Sequence, residues 1–325
     1  MGYICYFCNS LLVNMDFLFI ILGLVLLVLG GDWLLKSAVG MSLRLNISKI
    51  VIGMTVVSFA TSAPELIVSV KSAMAGFPDI ALGNVVGSNI ANIGLILGVV
   101  MIISKMKVDL SFFKTDWPAM IIASFLLYGM LLYDNEINRS EGFILFVLLI
   151  VFVIYLIKSQ KNSEEEIEIP LDDTMKMYQI IWFLVIGAIA LYCGSELLIK
   201  GAVNVAQTFG VSDRIIAVTV VAVGTSIPEF SASLIAAIKK ESSISIGNIL
   251  GSNIFNILSV LGLTAIIHPI KLVDNKLLTF DMLWMIGFAL VLLPLVLMPK
   301  RGFLDSRAGI ILLTGYILFV YLTFA

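Results

Sequence analysis

Apolar residues fill stretches of about twenty along almost the whole chain, separated by short polar breaks, and about twenty is the length of helix that crosses a bilayer core. The pattern predicts ten helices, at residues 17–36, 48–75, 80–104, 117–133, 141–158, 178–200, 212–238, 244–267, 277–298 and 306–324. Strand-type alternation, the mark of a membrane β-barrel, is absent. The expected fold class is an all-α polytopic membrane protein. One polar stretch of any size, Ser159 to Met177, contains Glu164, Glu165, Glu166, Glu168, Asp172 and Asp173 and reads as a solvated acidic linker.

The linker divides an internal duplication. Glu65 and Glu229 are 164 positions apart, and the same offset relates Thr61 to Thr225, Gly83 to Gly247, Ser88 to Ser252, Asn92 to Asn256 and Asp32 to Glu196. Residues 83–98 match residues 247–262 at 10 of 16 positions. Apolar composition alone does not bring Gly, Ser, Asn, Pro and Glu into register. Each half holds five spans, an odd number, so the second half enters the membrane from the opposite side. The expected fold is therefore ten transmembrane helices as two inverted five-helix repeats, an architecture that places a substrate site at the repeat interface near the midplane. The expected division is residues 1–14 as a dispensable N-terminal extension, 15–158 as the first repeat, 159–177 as a cytoplasmic linker and 178–325 as the second repeat. Residues 1–14 lack Lys and Arg, hence the positive region of a signal peptide, and Met15 reads as the natural start.

Composition agrees with a membrane protein: 60% of residues are hydrophobic, 13% are charged and the mean hydropathy is +1.08. Of the 20 Lys and Arg residues, 14 fall in the loops after the odd-numbered spans and 6 on the other side. Positive loops face the cytoplasm. Both termini are thus expected outside a cell membrane, with the acidic linker inside. No basic cluster points to nucleic acid, and no protein partner is predicted.

The chemistry lies in two near-identical polar islands, Thr61-Ser62-Ala63-Pro64-Glu65 and Thr225-Ser226-Ile227-Pro228-Glu229. An ionisable group deep in a bilayer is costly and is a functional candidate by default. Ser58, Thr61, Ser62, Glu65 and Ser69 recur at three- and four-residue spacing and so share one helix face, and Ser88 and Asn92 form an i,i+4 pair. Pro64 and Pro228 lack amide hydrogens, which deprives the carbonyls of Ala60 and Gly224 of helical partners and disturbs those of Ser58 and Ala222. Unwound carbonyls at this depth line cavities or ligate ions. The donor set is entirely oxygen, with no His or Cys, which argues against zinc and copper and suits Ca²⁺ or Na⁺. Two carboxylates balance one Ca²⁺ or two Na⁺, a physical basis for exchange by competition. The bland alternative is that both glutamates are protonated and merely hold helices together.

The paired TSAPE and GTSIPE segments, each followed by GNxxGSNIxN, resemble the α-repeats of the calcium/cation antiporter superfamily, specifically its sodium/calcium exchanger branch. The resemblance covers residues 15–325. It implies a secondary antiporter that exchanges Na⁺ for Ca²⁺ by alternating access, with no cofactor beyond the transported ions. It further implies ion contacts from Thr61, Ser62, Glu65, Ser88 and Asn92, from Thr225, Ser226, Glu229, Ser252 and Asn256, and from the carbonyls of Ser58 and Ala222. Spans 1 and 6 would slide against the other eight. Many exchangers carry Asp in one repeat where this chain has Asn92 and Asn256, and Ala60 stands where glycine is usual. A Ca²⁺/H⁺ antiporter, a cation channel and a non-transporting Ca²⁺-binding membrane protein are the alternatives. No nucleophile–base or phosphate-binding motif supports an enzyme.

The remaining candidates read as structural. Cys5 and Cys8 form a lone CxxC, Cys193 is expected to pack in an apolar helix, and His268 is an interfacial histidine beside Pro269. Asp32 with Lys36 and Glu196 with Lys200 are spaced for i,i+4 ion pairs. The GxxxG spacings at 83, 87, 94, 98, 247 and 251 are expected to let helices approach closely.

Overall fold

The computed structural model describes residues 2–160, 175–208, 224–298 and 302–324. Ala222, most of the acidic linker and the start of the predicted 212–238 span lie outside the described residues, as do the side chains of Cys5 and Cys8. The helices are α1 (Gly2–Leu45), α2 (Lys49–Thr61), α3 (Ala63–Met74), α4 (Pro78–Ile103), α5 (Phe112–Asp134), α6 (Arg139–Gln160), α7 (Met177–Thr208), α8 (Ile227–Ile238), α9 (Ser242–Ile267), α10 (Leu277–Leu297) and α11 (Ser306–Phe324). Among the described residues eight helices are long and apolar enough to cross a membrane, and α2 with α3, bent by 45° at their junction, make a ninth. Helix α8 has 12 residues, too few by themselves to span.

Several helices run past the ends that hydrophobicity suggests. Helix α1 continues beyond residue 36 to Leu45, where Asn46 takes a left-handed conformation and stops it. Helix α5 begins at Phe112 rather than 117, with a π-helical turn over Phe112–Asp116. Hydropathy reports the apolar slab, whereas backbone bonding carries the helix on into the polar interface.

Helices α4 and α9 form the centre, and α9 is buried without a break from Ile244 to Gly262. Glycine sets how closely α9 meets α2. A Cβ at Gly53 would lie 2.7 Å from the Ile244 carbonyl oxygen, one at Gly247 2.6 Å from that of Ile50, and one at Gly251 2.6 Å from Met54 Cα. Helices α1 and α7 form an antiparallel pair packed the same way: Gly23 abuts Gly194 and Gly30 abuts Gly187. Since Gly23 and Gly187, like Gly30 and Gly194, are 164 positions apart, the two contacts are one contact with the halves exchanged.

The same exchange governs four two-residue strands at the helix ends. Strand β1 (Met106–Lys107) pairs antiparallel with β4 (Phe303–Leu304), and β2 (Glu136–Ile137) with β3 (Ile270–Lys271). Each ribbon therefore joins the two halves of the chain rather than closing one half on itself.

Candidate functional site

Both polar islands break their helices at the same step. Ser62 (φ −84°, ψ 5°) separates α2 from α3, and Ser226 (φ −88°, ψ 4°) precedes α8, with Pro64 and Pro228 in the first turns that follow. Proline is tolerated there because its missing amide would be unpaired anyway. Glu65 and Glu229 thus sit in the first turns of α3 and α8, where the helix dipole favours a carboxylate. Across from them, Asn92 and Asn256 each open a π-helical turn, Asn92–Leu97 in α4 and Asn256–Leu261 in α9. Such turns recur at functional positions.

The structure brings these residues into one buried cluster. Ser58, Thr61, Ser62, Glu65, Ser88, Asn92, Ser226, Glu229, Ser252 and Asn256 are all buried, as is Ser69 on the same stripe. Ser62 Oγ donates to Glu229 Oε1 at 3.0 Å. Thr61 Oγ1 donates to Asn248 Oδ1 at 3.2 Å and lies 3.4 Å from Ser252 Oγ. In the other half, Thr225 Oγ1 donates to Asn84 Oδ1 at 3.3 Å and lies 3.5 Å from Ser88 Oγ. Asn84 Nδ2 in turn donates to the Glu65 carbonyl at 3.3 Å and Ser69 Oγ at 3.1 Å, while Asn248 Nδ2 donates to the Glu229 carbonyl at 3.4 Å and Ser233 Oγ at 2.9 Å.

What these bonds leave over is informative. Among the described residues, Glu65 Oε1 and Oε2, Glu229 Oε2, Asn92 Oδ1 and Asn256 Oδ1 are buried acceptors without a hydrogen-bond donor, and Ser226 Oγ is also unpartnered. Leaving a buried acceptor unmade costs about 1–3 kcal/mol, more when it is charged. Native structures keep such atoms where a ligand or water satisfies them. No Lys, Arg or His is salt-bridged to either glutamate among the described residues. Two carboxylates and two amide oxygens facing inward suit a hard cation, or protons on the carboxylates.

Two expectations about backbone oxygens change. The Ser58 carbonyl keeps its helical donor, the Ser62 amide at 2.9 Å, because the break falls one turn later, at Ser62, and it lies 3.3 Å from Thr61 Oγ1, whose one hydrogen goes to Asn248. The Gly224 carbonyl, freed by Pro228, accepts from Ser195 Oγ of α7 at 2.9 Å. Of the peripheral candidates, Asp32 pairs with Lys36 at 2.9 Å and also with Lys239 of the α8–α9 turn. Glu196 has no ion pair among the described residues; Lys200 instead lies 5.2 Å from the Phe19 ring centroid. Cys193 is exposed on the α7 surface rather than packed inside. His268 is exposed, with Nδ1 3.0 Å from the Pro269 carbonyl oxygen.

Sequence reasoning did not single out Asn84, Asn89, Asn248, Asn253 or Ser233. All five are buried or half-buried in the cluster, and the 164-position offset that flagged the glutamates also pairs Asn84 with Asn248, Asn89 with Asn253 and Ser69 with Ser233.

The sequence pattern of the sodium/calcium exchanger protein family matches residues 15–158 and 179–325. CaxA of Alkalimonas amylolytica is 38% identical over 315 residues, covering 95% of this chain and 98% of that protein. The sodium/calcium exchanger MaX1 of Methanosarcina acetivorans is 30% identical over 353 residues, covering 96% and 99%. A structure of the sodium-calcium exchanger NCX_Mj, soaked with Na⁺ and Sr²⁺, superposes with a TM-score of 0.81 at 30% identity, covering 95% of this chain and 98% of that one. A buried all-oxygen cluster built twice, in a helical membrane fold shared along nearly the full length with these proteins, places the chain in the sodium/calcium exchanger protein family.

Proposed function

We propose that this chain exchanges Na⁺ for Ca²⁺ by alternating access, with residues 15–158 and 178–325 acting as two inverted five-helix repeats around the cluster of Glu65 and Glu229. The observation that carries the reading is the set of five donor-less acceptor atoms, on Glu65, Glu229, Asn92 and Asn256, contributed by both halves of the chain. Oxygen-only coordination with two carboxylates matches Ca²⁺, and neutral oxygens of the same cluster can hold Na⁺. Thr61, Ser62, Ser88, Thr225, Ser226 and Ser252 supply the hydroxyls, and the carbonyls of Ser58 and Ala222 complete the proposed set. The names of MaX1 and NCX_Mj, both sodium/calcium exchangers, support Na⁺ as the counter-ion. Cycling requires the repeats to expose the site to each side in turn, and the α1–α7 pair is a natural moving unit because its closest backbone approaches are internal. The distribution of Lys and Arg supports a cell-membrane orientation with both termini outside.

The test is ⁴⁵Ca²⁺ uptake into proteoliposomes with imposed gradients. Uptake driven by an outward Na⁺ gradient and indifferent to a pH gradient is expected. Uptake driven by pH alone would replace Na⁺ with H⁺ as the counter-ion, and Ca²⁺ current without any counter-ion would make the protein a channel.

A further inference from the structure

We infer that Asn89 and Asn253, which are not among the proposed ion contacts, are positioning residues that lock the side-chain carbonyls of Asn92 and Asn256 toward the transported ion. The inference rests on the exchanger reading above and adds to it the device that decides which end of each site amide faces the ion.

Each of the two amides has an oxygen and a donating nitrogen of nearly equal size, so shape alone does not choose between them. An amide presenting its nitrogen would aim two N–H donors at a cation and repel it. The choice is made by a relay that begins at atoms that cannot rotate. The backbone carbonyl of Asn253 accepts from Asn89 Nδ2 at 3.2 Å, and Met285 Sδ lies 3.7 Å from the same nitrogen. Both hydrogens of Asn89 Nδ2 thus have acceptors, which fixes Asn89 Oδ1 on the other side. That oxygen accepts from Asn256 Nδ2 at 3.1 Å. With its nitrogen so engaged, Asn256 turns its oxygen away from Asn89, and Oδ1 is left buried and without a donor.

The mirror relay holds with the halves exchanged. The Asn89 carbonyl accepts from Asn253 Nδ2 at 3.3 Å, with Met120 Sδ 3.8 Å from that nitrogen. Asn253 Oδ1 accepts from Asn92 Nδ2 at 3.0 Å, leaving Asn92 Oδ1 donor-less. All four asparagines are at most 1% exposed, so water does not compete for these bonds. The wiring is crossed: the brace in the first half orients the site amide of the second, and the reverse. Flipping Asn256 would set its oxygen against Asn89 Oδ1, and Asn89 cannot flip in response without facing its own oxygen toward a carbonyl and a thioether.

The experiment is a crossed set of double mutants read by Ca²⁺ half-saturation of binding and uptake. Asn89→Leu removes the acceptor that holds Asn256, and half-saturation is expected to rise about tenfold, the worth of one such bond, with the maximal rate much less affected. If Asn89 acts through Asn256, Asn89→Leu adds nothing further in an Asn256→Ala background yet adds fully in an Asn92→Ala background. A general packing role predicts equal additivity in both backgrounds, and that result, or unchanged half-saturation in Asn89→Leu, would overturn the inference. If Asn89→Leu yields no folded protein, Asn253→Leu combined with Asn92→Ala or Asn256→Ala asks the mirror question. Wild-type protein that binds no Ca²⁺ would remove the exchanger reading itself, and the brace with it.

Discussion

Ser62 donates a hydrogen bond to Glu229, 3.0 Å away and in the other half of the chain, whereas among the described residues Ser226, its counterpart, leaves its hydroxyl unpartnered and Glu65 without a donor. The cluster is therefore duplicated in sequence but not symmetric in bonding. One carboxylate is partly satisfied by protein and the other faces the site with both oxygens.

Removing either charge leaves a divalent ion with one carboxylate instead of two. Glu65→Gln and Glu229→Gln are each expected to abolish Na⁺-driven Ca²⁺ uptake while preserving a monodisperse protein. The expected loss is about 3–5 kcal/mol, as for breaking a buried ion pair. Uptake at the wild-type level in either variant would take that carboxylate out of the site.

The α2–α9 contact offers a test of packing. Gly251→Ala would drive a Cβ against Met54 Cα and Ser58 Oγ, and overpacking of this kind costs about 1–3 kcal/mol. Its melting temperature should fall clearly below that of wild type. Gly129, in α5, has nothing within 4 Å of an added Cβ, so Gly129→Ala should melt at or slightly above the wild-type temperature. Equal melting of both variants would argue against the close approach.

The proposed orientation rests on the 14-to-6 distribution of Lys and Arg. In a background without native cysteines, Glu165→Cys should resist an impermeant thiol reagent in intact cells and react after permeabilisation. Ready labelling from outside would reverse the assigned orientation.

The charge of the site bears on stoichiometry. With Asn92 and Asn256 neutral, Glu65 and Glu229 supply two negative charges, which one Ca²⁺ or two Na⁺ neutralise. We propose three Na⁺ to one Ca²⁺, the ratio that the family resemblance favours, with the third Na⁺ resting on hydroxyls and carbonyls. Each inward Ca²⁺ then removes net positive charge from a vesicle loaded with Na⁺. Uptake should accelerate when external K⁺ and valinomycin make the interior positive. Indifference to potential with Na⁺ coupling intact would support two-to-one exchange instead.

The residues legible from sequence are those that declare themselves by rarity or by repetition. Glu65 and Glu229 stand out because a carboxylate in an apolar run is costly, and the offset ties Ser88 to Ser252 and Asn92 to Asn256 without reference to any structure. Asn89 and Asn253 carry the same offset, but their bonds run between α4 and α9, and no spacing within one helix reveals a partner in another. The π-helical turns at Asn92 and Asn256 were equally hidden, since backbone bonding shifts there without a change in residue type. Ser195 was overlooked because it serves a carbonyl that a distant proline had freed. The outward face of Cys193 depends on which side of α7 its neighbours occupy, which hydropathy does not encode.

The two small ribbons carry a consequence for how the molecule is made. Met106–Lys107 finds its partner in Phe303–Leu304, and Glu136–Ile137 finds its own in Ile270–Lys271. When the ribosome has delivered the first half, both of its strand edges are still waiting, and the later of the two seams closes only as synthesis nears its end. Neither half completes its own strand edges.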